Sequence, residues 1–201
     1  MTLLDLDDFA DDERSLEDLL RLRDLQADIQ TFKATLFTIP ARCSPTFIRT
    51  MIEEYQWLDL VQHGWHHRDN YECLSWTKAD CKAALLAARE MGFTTRGFKA
   101  PGWQISDGCY EALAEEGYWV ADQEYNNWRR PLAMPAYVIM NGRGHWVGYD
   151  GNQRLETATA IHGHLGNLNG PNANALELIM DDIRAAAAKD SDFRFIREVM
   201  E

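Results

Sequence analysis

Three histidines fall within five positions of VQHGWHHRDNYE, residues 61–72: His63, His66 and His67. The whole chain has only six. Imidazoles and carboxylates are the side chains that zinc, manganese and cobalt favour as ligands. His63 and His67 stand four positions apart, so one helical turn or a tight loop brings both rings to one side. Two histidines and one carboxylate leave coordination positions open for water and substrate, as a hydrolytic metal site requires. Asp8 is the natural third ligand, provided its segment lies beside the one carrying His63. Its neighbour Asp7, left uncoordinated, is then available to accept a proton from activated water. Adjacent aspartates point to opposite faces of a regular strand, so both serve one site only where the strand ends and the backbone turns. On its own spacing, HGWHH also reads as a polar loop whose rings cap helix ends or stack on Trp65. Asp11 and Asp12, in the acidic run DLDDFADDE, read as a solvated face, and His66 as a bystander.

Short apolar, β-rich runs alternate with amphipathic helical patterns through most of the chain. TLLDL (2–6), FKATLFTI (32–39), WLDLVQH (57–63), GFKAP (97–101), YWVAD (118–122), AYVIM (136–140) and TATAIH (157–162) read as strands. Between them, helices are expected from Ser15 as N-cap to about Ile29, and over 44–55 with Ser44 as cap and Pro45 at the first position. A third spans 77–92 with a Thr77/Asp80 capping box and Gly92 as terminator, a fourth 106–117, and a fifth about Ala173 to Ala188. No repeat or linker divides residues 1–201, which read as a single domain. The alternation predicts an α/β fold with a largely parallel sheet, either a (β/α) barrel or an open doubly wound sheet. Active sites of such folds lie at the C-terminal strand ends. That is where Asp7-Asp8, His63 to His67, Lys99-Ala100-Pro101-Gly102-Trp103 and His162-Gly163-His164 all fall, and this convergence lifts HGWHH above a polar loop.

Composition narrows the function classes. The 201 residues are 46% hydrophobic with seven Trp, which is globular rather than disordered. A formal net charge of −12 repels phosphate backbones, so nucleic acid is not an expected partner; Trp128-Arg129-Arg130 is the one visible basic stretch. No apolar run approaches the roughly 18 residues of a membrane helix. The N-terminus turns acidic at once, without a signal-peptide pattern, so no membrane association and a cytoplasmic location are expected. Cys43, Cys73, Cys81 and Cys109 show no CxxC spacing and read as reduced thiols.

These residues, in this order, resemble the NodB-homology polysaccharide deacetylases, carbohydrate esterase family four, over residues 3 to about 165. The family motif T-F-D-D-G is matched by Asp5-Leu6-Asp7-Asp8-Phe9, and its K-A-T-F-F-V strand by Lys33-Ala34-Thr35-Leu36-Phe37-Thr38. H-[ST]-x-x-H is matched by His63-Gly64-Trp65-His66-His67, R-x-P by Lys99-Ala100-Pro101, and a late strand histidine by His162, with His164 as the neighbouring option. The resemblance implies a distorted or incomplete (β/α) barrel. It implies one divalent ion, zinc first, with manganese, cobalt or nickel as alternatives, held by Asp8, His63 and His67. Asp7 would be the general base, Lys99 the cation that orients it, and His162 or His164 the acid that protonates the leaving amine. The reaction would release acetate from an N-acetylated sugar or related amide.

The sequence departs from that pattern at several places. Phe9 replaces the glycine after the Asp pair. Lys99 replaces an arginine, keeping the charge but losing the planar fork. The D-x-x-D-W motif has no clear counterpart; Asp122, with Trp128 six residues later, is the candidate and would contact substrate with Pro101 and Trp103. Trp103 suits a sugar-stacking platform or a core aromatic equally. Two rivals remain: a different metal-dependent amidohydrolase or phosphoesterase, and a degenerate deacetylase-fold protein that binds carbohydrate without catalysis. Oligomeric state is not legible in the sequence.

Overall fold

The computed structural model describes residues 1–123, 134–140, 145–150, 153–166, 175–189 and 192–201. They form strands β1 (Thr2–Phe9), β2 (Ala34–Thr38), β3 (Leu58–His63), β4 (Gly97–Lys99), β5 (Trp119–Gln123), β6 (Pro135–Met140), β7 (His145–Asp150), β8 (Gln153–His164) and β9 (Phe193–Arg194). The α-helices are α1 (Glu13–Asp28), α2 (Pro45–Glu54), α3 (Lys78–Met91), α4 (Asp107–Glu115), α5 (Ala175–Ala187) and α6 (Arg197–Met200).

The strands pair in the order β2-β3-β4-β5-β6-β7-β8-β1, and β1 returns to β2, which closes an eight-stranded barrel. The open doubly wound alternative is thereby ruled out. One edge of β1 serves twice: Thr2 and Leu3 pair with β9, while Asp5, Leu6 and Phe9 pair with β2. Neighbours are parallel except around β7, which runs antiparallel to both β6 and β8. That strand, HWVGYD, has no clean alternation and is missing from the sequence-based expectation, as is the two-residue β9. β8 is also longer than the expected 157–162.

Alternate strand residues divide the core in two, because both faces of each strand are covered. Leu3, Phe37, Val61, Trp119, Tyr137 and Trp146 fill the barrel interior, which Ile196 and Met200 close from the C-terminal segment. Leu4, Leu6, Leu36, Leu60 and Ile161 face outward onto Leu19 and Leu22 of α1, Ile48 of α2 and Ile183 of α5. Helix ends follow local chemistry. Ser44, Ser106 and the Thr77/Asp80 box cap α2, α4 and α3, and Gly92 ends α3 at φ 110°. For α1 the cap is Asp12, not Ser15: its carboxylate accepts from the Ser15 amide, so the helix starts three residues early. The carboxylate is a stronger acceptor at the positive end of the helix dipole than a hydroxyl.

Trp128-Arg129-Arg130 lie outside the described residues, as does the expected start of the last helix at Ala173. Cys73, Cys81 and Cys109 are buried and Cys43 half-buried, all as free thiols. Among the described residues no helix is long and apolar enough to cross a membrane.

Candidate metal centre and active site

Strand ends build the site. In β1 the pairing with β2 breaks between Leu6 and Phe9, and Asp8 sits at φ 69°. That left-handed residue turns the Asp8 side chain away from the alternation it would have in a regular strand. Phe9 then resumes ordinary strand geometry, pairs with Thr38 and packs on Phe47, so the positive-φ residue of the turn is Asp8 and not the position held by glycine in the resembling motif. Asp and Asn tolerate this conformation better than most residues.

At the end of β3, Gly64 has φ 52° and His67 φ 50°. A Cβ on Gly64 would lie 2.7 Å from Pro101 Cδ, so only glycine fits the turn. The turn is held by Gln62 Nε2, which donates to Gly64 O at 3.0 Å, and by Glu72. The Glu72 carboxylate accepts the backbone N–H of His66 at 2.9 Å and of His67 at 2.7 Å.

Asp8 Oδ1 lies 3.6 Å from His63 Nε2 and 3.1 Å from His67 Nε2. A tetrahedral ion with bonds of roughly 2.0–2.1 Å places its ligand atoms about 3.4 Å apart, so these separations suit one metal. His63 Nδ1 is 3.0 Å from the Lys99 carbonyl, which can only accept. The proton therefore sits on Nδ1, and the Nε2 lone pair faces the Asp8 carboxylate. Two acceptors turned toward one another call for a cation between them, and buried Asp8 Oδ1 has no hydrogen-bond donor. These three side chains fit a divalent ion.

Behind the triad lies a buried charge network. Lys99 Nζ, fully buried, donates to Asp7 Oδ1 at 2.6 Å and to Asp5 Oδ1 at 2.9 Å. Its ammonium also sits 3.8 Å from the Trp103 ring centroid and 4.5 Å from that of Phe37. Burial pushes the Asp5 carboxyl up, yet Lys99 and His162 together hold it well below the carboxylate range. Parallel pairing sets Asp5 opposite His162 and Asp7 opposite His164. His162 Nδ1 is 3.4 Å from Asp5 Oδ1, and His164 Nε2 is 4.0 Å from Asp7 Oδ2. Between the two histidines Gly163 meets Ile179 of α5 where a Cβ would be, so the helix seats directly on β8. Burial lowers the His164 imidazole's affinity for a proton. Asp7, His162 and His164 also lie close enough to share an ion, but the Lys99 ammonium on Asp7 opposes a second cation there.

The expected substrate contacts are distributed differently. Trp103 covers Lys99 and stands edge-on to His162 at 5.5 Å, so it borders the site. Pro101 is buried against Gly64 and shapes the turn instead of presenting a surface. The Asp122 carboxylate is taken up by Tyr110 of α4 at 2.7 Å and by the Gln123 amide, and it belongs to neither ion-capable cluster. Burial pushes it up to about 6. A cleft of about 170 Å³ opens beside the triad, lined by Asp8, Asp12, Ile39, Arg42, His67, Leu165 and Gly166. Asp12 on its rim caps α1 and pairs with Arg42 at 2.5 Å, so it is not simply a solvated residue.

Asp5 and Glu72 were not among the residues expected from the sequence. For Asp5 a signal existed: it shares the inward face of β1 with Asp7, two positions on. Glu72 carries no such mark, since a loop of unknown path gives no periodicity.

No protein-family model matches the sequence, and neither does any curated protein. Solved structures do. The Bc1960 peptidoglycan N-acetylglucosamine deacetylase, solved with a naphthyl N-oxidanyl-benzamide, aligns at TM-score 0.62 and 16% identity over 99% of this chain and 87% of its own. A family 4 carbohydrate esterase from Streptomyces lividans, solved with acetate, aligns at 0.58 and 17% over 94% and 88%. A mutant of BA3943, described as a family 4 pseudoenzyme with restored enzymatic activity, aligns at 0.58 and 13% over 100% and 67%. At these identities the likeness is one of architecture, and the chain has the (β/α)-barrel fold of the family 4 carbohydrate esterases.

Proposed function

We propose that this protein is a metal-dependent hydrolase that removes an acetyl group from an N-acetylated sugar or related amide. The observation that carries the reading is Asp8 Oδ1, buried without a donor and facing the lone pair of His63 Nε2, with a second carboxylate adjacent in sequence. Asp8, His63 and His67 would hold a divalent ion, zinc by this borderline N/O donor set, which when bound would supply polarisation of the acyl carbonyl and activation of water. Asp7 takes the proton of the attacking water. Lys99 donates to Asp7 Oδ1 and fixes it, leaving Oδ2 as the atom that takes the proton. A β8 histidine returns a proton to the amine nitrogen as the C–N bond breaks, giving acetate and a free amine. Lys99 replaces the fork of an arginine by touching two carboxylates instead of one. The cleft beside Asp8 and His67 has room for an acetyl group.

The test is acetate release from chitooligosaccharides and N-acetylglucosamine conjugates by the metal-loaded protein, beside Asp7→Asn. Turnover that falls at least 100-fold in the variant, with metal content unchanged, supports the roles given. Bound metal without acetate from any acetamide points to another hydrolase. Neither metal nor turnover points to a carbohydrate-binding protein on the same barrel.

A further inference from the structure

We infer that Asp5 is a positioning residue that holds a proton on His162 and so makes His162, not His164, the proton donor of the site. The inference rests on the hydrolase reading above for its catalytic part, but the Asp5–His162 pairing stands on geometry alone. Asp5 is fully buried on the inward face of β1, directly across the parallel ladder from His162. Its Oδ1 is 3.4 Å from His162 Nδ1 and 2.9 Å from Lys99 Nζ. His162 Nδ1 is buried with no other hydrogen-bond partner, and so is Asp5 Oδ2, although the buried Tyr137 hydroxyl also faces Asp5 from β6. One proton on Nδ1, with a small rotation of the carboxylate, satisfies both atoms. Leaving them bare strands two buried polar groups at a cost of roughly 1–3 kcal/mol each.

Lys99, bonded to Oδ1 of both Asp5 and Asp7, leaves Asp5 Oδ2 to another donor. With Nδ1 turned to Asp5, Nε2 is the nitrogen left to meet a substrate, while His162 keeps 21% of its side chain exposed. Trp103, edge-on at 5.5 Å, fixes the ring plane. His164 has no comparable support: its nearest carboxylate oxygen is Asp7 Oδ2 at 4.0 Å, and that carboxylate is tied to Lys99. Asp5 occupies the threonine position of the T-F-D-D-G motif that the chain resembles. A pairing of this kind is therefore particular to sequences that carry the second aspartate.

The experiment reads the imidazole ¹⁵N resonances of the wild-type protein, then the pH profile of Asp5→Asn. A protonated, hydrogen-bonded Nδ1 on His162 is expected, with that signature lost in Asp5→Asn. In the variant kcat should fall by roughly 100-fold, the size of a general-acid contribution, while KM and metal content stay within twofold. The alkaline limb of the profile should move to lower pH, a shift that mere loosening of the barrel does not produce. A bare Nδ1 in the wild type, or an unmoved limb in a folded variant, overturns the inference. The wild-type spectrum decides even if Asp5→Asn does not fold. A protonated Nδ1 in a protein that releases no acetate leaves the pairing intact and removes the hydrolase reading.

Discussion

Replacing Lys99 by methionine removes the ammonium that bridges two buried carboxylates while keeping side-chain volume. Lys99 and Asp5 are fully buried and Asp7 is 3% exposed, so solvent cannot screen what is left behind. Removing one partner from a buried ion pair costs about 3–5 kcal/mol. Against a total stability of roughly 5–15 kcal/mol this is a large fraction, and for a chain of this size it lowers Tm by roughly 6–20 °C. The loss depends on pH in a defined direction. In the wild type, Lys99 and His162 hold Asp5 below its unfolded value despite burial. Its ionised form therefore stabilises the fold above about pH 4, and that gain fades as pH falls through the folded value. In Lys99→Met burial prevails, Asp5 rises above its unfolded value, and the penalty is greatest at neutral pH and shrinks toward pH 4. Urea unfolding of wild type and variant at pH 7.5 and 4.5 measures both. A loss below about 1 kcal/mol, or an equal loss at the two pH values, refutes the buried-network argument.

Three further outcomes follow from other parts of the barrel. Asp59 is buried at the opposite end of β3, bonded to Thr95 at 2.5 Å with Arg197 at 3.4 Å, and burial pushes its carboxyl up to about 6. Its contribution is full below about pH 4 and lost as pH rises through 6, so Asp59→Asn should raise stability at pH 7.5 by up to about 3 kcal/mol; denaturation midpoints that drop at pH 7.5 contradict this. Gly64→Ser places the hydroxyl residue of H-[ST]-x-x-H in a left-handed turn against Pro101, and should lower stability by about 1–2 kcal/mol or more and weaken metal binding. Calorimetric and metal-binding curves that overlay those of wild type would show that the turn relaxes freely. Glu72→Ala frees the His66 and His67 amides and should weaken metal affinity about 10- to 100-fold, read by competition with a chromogenic chelator.

How much of this was legible depended on the kind of signal. His63, His67 and Asp8 were legible because their side-chain types are rare and their spacing is local. The convergence of those groups with Lys99 and His162 followed from alternation, since parallel strands carry their C-terminal ends to one side. Barrel closure was legible through the resemblance and not through periodicity, because it hangs on β7, whose residues alternate poorly, and on β1 pairing at both edges. Asp5 carries only an i, i+2 relation to Asp7, a weaker signal than the adjacent Asp7-Asp8 pair at the strand end. The α1 cap went to the wrong residue because Asp12 and Ser15 are both good caps, and only tertiary contacts such as Arg42 on Asp12 separate them. Motif position points Pro101 and Asp122 toward substrate, and packing sets one against Gly64 and the other onto Tyr110. Motif order along the chain does not say which face of a strand a side chain takes at its end.

One ion held by Asp8, His63 and His67 underlies the proposed activity. Its most direct test is elemental analysis of the purified protein beside a His63→Ala, His67→Ala double variant, both shown to be folded by circular dichroism. One equivalent of a divalent transition metal per wild-type chain, and none in the variant, is the result predicted. Equal metal content in the two proteins, or no metal retained by wild type after incubation with zinc, would contradict it.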